Sequence, residues 1–126
     1  MEGLKVLVID DSPFIFKAVK KALEPRGMNV IDSASNGKVG LELIEKYQPE
    51  VITLDVTMPI MNGIETARHI FKENPDANVI MMSAMGDDAL IEEAKEIGVK
   101  HFIPKPFKAD LLYNTIEKAL AGGNNE

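Results

Sequence analysis

Cysteine is absent from the chain, and so is tryptophan. Without a thiol there is no disulfide framework, no thiolate nucleophile and no sulfur-ligated metal centre. Histidine occurs only twice. The pattern puts His69 mid-helix and His101 at the start of a strand, which leaves no imidazole cluster for a zinc-type site. Basic residues are outnumbered 14 to 20, for a net charge of −6. A surface that grips phosphate backbones needs a local excess of Lys and Arg, so nucleic acid is not expected as a partner. No apolar run approaches the ~18 residues of a membrane span, and the opening MEGLKVLVIDD lacks the form of a secretory signal. The expectation is a cytoplasmic protein with no membrane contact.

What remains is the composition of an ordinary globular domain: 126 residues, 45% apolar and 27% charged. That length suits a single domain over residues 1–121, with a short flexible tail at 122–126. Val6, Leu7, Val8 and Ile9 form a continuous apolar run ending at Asp10-Asp11, the pattern of a strand buried on both faces. Ser12-Pro13 reads as a helix start. Ile15, Ala18, Val19, Ala22 and Leu23 then trace one helical face, and Pro25 and Gly27 end it. The cycle repeats with strands over 28–31, 51–54, 79–82 and 101–103. The intervening helices are opened by Asn36-Gly37, placed after a loop holding Pro59 and Asn62-Gly63, spread over 90–97, and marked last by Leu112, Ile116, Ala119 and Leu120.

Five strands alternating with five helices predict an α/β doubly wound parallel sheet with helices on both faces. The second and fifth strands are the least apolar and belong at the edges. The first and third then lie side by side where the winding reverses, which gives the order 2-1-3-4-5 and places a ligand site beyond their carboxyl ends. Asp10-Asp11, Asp55 and Ser83 follow the three central strands, and Lys105 follows the fifth. Each has a plainer reading: a helix cap, a turn residue, a solvated lysine. Their convergence on one sheet edge is harder to explain that way. Three carboxylates there repel one another unless a cation intervenes, and an all-oxygen set suits Mg²⁺. With a hydroxyl and an ammonium beside it, that is a site for phosphoryl chemistry, with Asp55 as nucleophile and Asp10 and Asp11 flanking the metal.

IDDS at 9–12, TLDVTMP at 53–59 with NG at 62–63, SA at 83–84 and Phe102-Ile103-Pro104-Lys105-Pro106-Phe107 resemble the receiver domain of two-component response regulators. The resemblance spans essentially the whole chain. It implies a flavodoxin-like (βα)₅ fold and Mg²⁺-dependent transfer of phosphoryl from a sensor histidine kinase onto Asp55, with Mn²⁺ able to substitute. It makes Asp11 a direct metal ligand, Asp10 a neighbour acting through metal-bound water, and Thr57 a ligand by its backbone carbonyl. Ser83 and Lys105 become the pair contacting the phosphoryl group. Lys105-Pro106 becomes a cis bond, and Phe102 the aromatic switch. That position often holds Tyr, so Phe102 loses a hydroxyl, and an inward-biased ring is expected.

SAMG at 83–86 and DVTMPIMNG at 55–63 are most similar to the stand-alone chemotaxis regulators of the CheY type. Little chain follows Phe107, so no output domain is expected and the signal passes by protein contact. The implied partners are a CheA-like sensor kinase and a downstream target, such as a flagellar switch protein, on the fourth helix, fifth strand and fifth helix (89–96, 101–105 and 108–118). A phosphatase is a further one, and the protein is expected to be a monomer. It is expected not to be an enzyme beyond its own phosphorylation and autodephosphorylation. A phosphorelay intermediate or phosphate sink is the alternative within the family. An aspartyl-phosphate phosphohydrolase lacks its second carboxylate here, since Val56 and Thr57 follow Asp55. An FMN carrier is disfavoured by Asp10-Asp11, which would repel a flavin phosphate. Met58, Met61, Met81, Met82 and Met85 read mainly as packing, with Met58, Met61 and Met85 as candidates to ring the pocket.

Overall fold

Strand β1 (Lys5–Ile9) is followed by helix α1 (Pro13–Leu23) and a 3₁₀ turn (Glu24–Arg26), then β2 (Asn29–Ala34) and α2 (Gly37–Tyr47). After these come β3 (Val51–Asp55), α3 (Gly63–Glu73), β4 (Val79–Ser83), α4 (Asp88–Ile97), β5 (His101–Pro104) and α5 (Ala109–Gly122). This computed structural model describes residues 3–122. The expected tail lies outside the described residues except for Gly122, which is the last residue of α5.

All five strands pair in parallel, in the order β2-β1-β3-β4-β5. The central strands read as unbroken apolar runs because alternate side chains enter two different cores. Val6, Val8, Val51, Ile80, Met82 and Ile103 pack against α1 and α5 through Val19, Leu23, Leu112 and Ile116. Leu7, Ile9, Ile52, Leu54 and Met81 face α2, α3 and α4, meeting Ile64, Ala67, Ile70 and Ala94.

The second strand and the first helix differ from the sequence reading in ways that matter to the packing. β2 runs on to Ala34, not Ile31, because the β1–β2 register shifts between Val6 and Leu7, leaving Ile31 as the extra residue of a bulge. Beyond the bulge Asp32 and Ser33 pair with Leu7 and Val8, and an edge position lets these polar residues stay half-exposed. In α1 the buried face is Val19, Ala22 and Leu23 with Phe16 beside it, while Ala18 is exposed.

Candidate functional site

The register sets the site. Ile9 pairs with Leu54, so Asp10 and Asp55 leave adjacent strands side by side. Asp55 pairs with Met82, which puts Ser83 one residue further along β4, and Ser83 pairs with Pro104, the residue before Lys105. Asp10 is tied down twice over. Its backbone N–H donates to Ala34 O at 2.8 Å, and its Oδ1 accepts the Ser12 N–H at 2.9 Å. Ser12 itself makes no side-chain cap to α1, so the start of that helix is fixed from Asp10 instead.

Asp10, Asp11 and Asp55 bring carboxylate oxygens within 4.8 Å of one another, the first and last buried and Asp11 exposed. Lys105 reaches into this group, its Nζ 2.8 Å from Asp10 Oδ2 and 3.0 Å from Asp55 Oδ1. The Lys105–Pro106 bond is cis, and the Lys105 N–H donates to Ser83 O at 2.8 Å. Burial works to lower the Lys105 pKa, but its contacts with Asp10 and Asp55 outweigh that and hold it above the ordinary lysine value. Asp55 is pushed up from the usual 3.8, chiefly by burial, then by Asp10 and Asp11, with Lys105 opposing.

A folded-state pKa above the unfolded one means that ionised Asp55 costs stability. The cost is absent below pH 3.8, grows as pH rises from there toward the raised folded value, and is complete only above that value. Asp55→Asn, measured at pH 7 without divalent cation, is therefore expected to raise Tm by a few degrees. The gain should shrink as pH falls toward 4. A variant no more stable than the parent at pH 7 would contradict the claim that burial and the neighbouring carboxylates penalise ionised Asp55.

Three close carboxylates fit a hard divalent cation. Asp10 Oδ2 is buried, with the Lys105 ammonium 2.8 Å away as its charged neighbour. Thr57 lies exposed two residues beyond Asp55. The methionines divide. Met58 is buried in the core on the α3 side, Met61 is half-buried against Gly37, and Met85 is fully exposed.

The sequence profile of the response regulator receiver domain matches residues 6–117. The chain belongs to the response regulator receiver family. Among curated relatives of this receiver domain are the chemotaxis proteins CheY of Listeria monocytogenes and Thermotoga maritima. The first is 38% identical over 92% of this chain and 98% of its own length, the second 37% over 92% and 97%. A solved complex of Borrelia burgdorferi CheY with CheX, BeF₃ and Mg²⁺ superposes with a TM-score of 0.88 at 30% identity, covering 95% of this chain and 91% of that one. The doubly wound sheet expected from the alternating elements is found, and it is the receiver fold that the resemblance implied.

Two residues of this receiver domain gain roles that the sequence reading had not given them. Asp87 does not cap α4 with its side chain; its Oδ2 accepts the Ala84 N–H at 2.8 Å, bracing the loop that follows Ser83. Gly63 is not a loop residue but the first residue of α3, after an Asn62–Glu65 capping box, and it lies directly on the Asp55 backbone. The NG pair and the Glu three residues after Asn62 are a capping signal visible in the sequence. The contact with Asp55 is not, because it joins segments that only the fold brings together.

Phe102 is half-buried, packed against the core on the α3–α4 side of the sheet. The Lys95 ammonium sits over the ring, 5.9 Å from its centroid.

Proposed function

We propose that the chain is a stand-alone response regulator whose Asp55 accepts a phosphoryl group from the histidine of a CheA-like sensor kinase. The observation that carries this is the grouping of Asp55 with Asp10 and Asp11, with Lys105 3.0 Å from its carboxylate. In the transfer an Asp55 oxygen bonds to phosphorus as the P–N bond breaks, and the electron pair leaves on the imidazole nitrogen, which solvent protonates. Lys105 moves its charge from the carboxylates to the incoming phosphoryl oxygens, and the Ser83 hydroxyl donates to another of them. Mg²⁺ (or Mn²⁺) held by Asp10, Asp11, Asp55 and the Thr57 carbonyl would neutralise phosphoryl charge. The chain turns over no separate substrate; it promotes only its own phosphorylation and autodephosphorylation.

The CheY relatives support a role in chemotaxis. Output then passes through the α4-β5-α5 face to a target such as a flagellar switch protein, with a phosphatase resetting the signal. The acidic net charge suits protein rather than nucleic-acid contact. Among the described residues no helix is long and apolar enough to cross a membrane. The reading takes the chain to act as a monomer in the cytoplasm. Incubation with radiolabelled, autophosphorylated CheA-like kinase of the same organism tests this. Label should leave the kinase and appear on this chain, and label retained by the kinase would count against the reading.

The metal arm has its own test. Asp11→Ala is expected to weaken Mg²⁺ binding at least about tenfold, equivalent to ~1.4 kcal/mol, in a calorimetric titration. An unchanged affinity would remove Asp11 from the metal site.

A further inference from the structure

A phenylalanine ring left half-exposed on a strand is under a standing drive to turn inward, away from water. Phe102 packs only partly against the α3–α4 core and keeps some exposure, and the element facing it offers a reason. Lys95, on α4, places its ammonium 5.9 Å from the ring centroid, within the ~6 Å reach of a cation–π contact. The same ammonium lies 3.3 Å from Glu92 Oε2, one helical turn back, so its position is fixed from the helix side as well.

We propose that Lys95 is a positioning residue: the Glu92–Lys95 pair clips the Phe102 ring in its half-buried setting. A tyrosine at this position can be held outward by hydration of its hydroxyl. Phenylalanine has none, and here a cation from the neighbouring helix takes over that role. The clip bears on the phosphorylation site through one two-stranded ribbon. Phe102 pairs with Met81 across the β4–β5 ladder, Ser83 stands two residues further on, and Ser83 O accepts the Lys105 N–H. Any shift of the β4 end toward a group on Asp55 is felt where the ring must move. Releasing the clip therefore favours the inward ring, and by linkage tightens the binding of whatever Asp55 carries. This inference rests on the reading of Asp55 as phosphoacceptor and of Phe102 as its switch.

The test uses the full chain with ¹³C-labelled phenylalanine rings, followed by NMR with Mg²⁺ alone and with Mg²⁺ plus beryllofluoride as the phosphoryl mimic. Lys95→Met keeps the aliphatic stem and removes the charge, while Lys95→Arg keeps a cation for the ring. With Mg²⁺ alone, Lys95→Met should move the Phe102 ring signals toward their beryllofluoride-bound positions. Its apparent affinity for beryllofluoride should rise about threefold, in proportion to the population already competent to bind. Lys95→Arg should behave as the parent does. Ring signals and affinity unchanged in Lys95→Met, or shifted equally in Lys95→Arg, would overturn the proposal. A parent protein that ignores beryllofluoride while binding Mg²⁺ would overturn the phosphoacceptor reading itself, and the Lys95 proposal with it.

Discussion

Asp55→Asn is expected to incorporate no phosphoryl group from acetyl phosphate and Mg²⁺ under conditions that load the parent protein fully. The amide is nearly isosteric with the carboxylate, so the fold is kept, but its oxygen is a far weaker nucleophile and no acyl phosphate forms. The loss should be complete, not graded, because neither neighbouring carboxylate can replace Asp55. Asp10 is held by the Ser12 N–H and Lys105, and Asp11 is exposed on the turn after β1. Intact-mass measurement over the acetyl phosphate time course checks this, and substantial incorporation in the variant would remove Asp55 from its assigned role. Lys105→Ala is a different case. The proposed acceptor remains, so some incorporation should persist, but the ammonium proposed to sense the new charge is gone and the conformational response should be uncoupled from it.

Gly63→Ala is expected to be among the most destabilising single-methyl additions in the molecule. In the first turn of an ordinary helix the change would help, since alanine gains up to about 1 kcal/mol over glycine in helix propensity. Gly63 has no unusual φ that would oppose alanine, so the outcome is decided by space alone. A Cβ there would overlap the Asp55 carbonyl oxygen and lie 2.9 Å from Val56 Cα, against backbone that has nowhere to go. It would also strain the 2.8 Å hydrogen bond from the Gly63 N–H to Val56 O. Overpacking against backbone outweighs the propensity gain, for a net loss of about 3 kcal/mol and a fall in Tm on the order of 10 °C. Phosphorylation should fall as well, because the displaced atoms belong to the acceptor residue. Thermal denaturation followed by circular dichroism reads the first effect. A Tm at or above the parent's would show that α3 is free to move off β3. Gly86→Ala is the contrasting control. Its φ of +96° strains alanine, but no atom lies within 4 Å of the added carbon, so the cost should stay near 1 kcal/mol.

The sequence exposed the parts of this molecule that depend on local pattern. β1, β3 and β4 were legible because strands covered on both faces have no polar alternation to confuse them, and their ends marked Asp10, Asp11, Asp55 and Ser83. β2 was half-legible: Asp32 and Ser33 look like the end of a strand, and only the bulge opposite Val6 and Leu7 shows that pairing continues. The site residues could be named, but their pairing could not. That Lys105 spans Asp10 and Asp55 follows from β5 lying two strands from β3 and turning back over the sheet edge, which no spacing reveals. The same holds for Gly63 against Asp55 and for Lys95 over Phe102. Each contact joins two elements whose separation is set by packing.

Asp55, grouped with Asp10, Asp11 and Lys105, is proposed to accept a phosphoryl group only when a divalent metal is present. The most direct test is to treat the parent protein with acetyl phosphate in Mg²⁺ and, in parallel, in excess EDTA. Borohydride reduction then converts any acyl phosphate to a stable mark that peptide mass spectrometry can place. One mark on Asp55 in Mg²⁺, and essentially none in EDTA, is the predicted result. A mark on another residue, or equal marking of Asp55 in EDTA, would contradict the account.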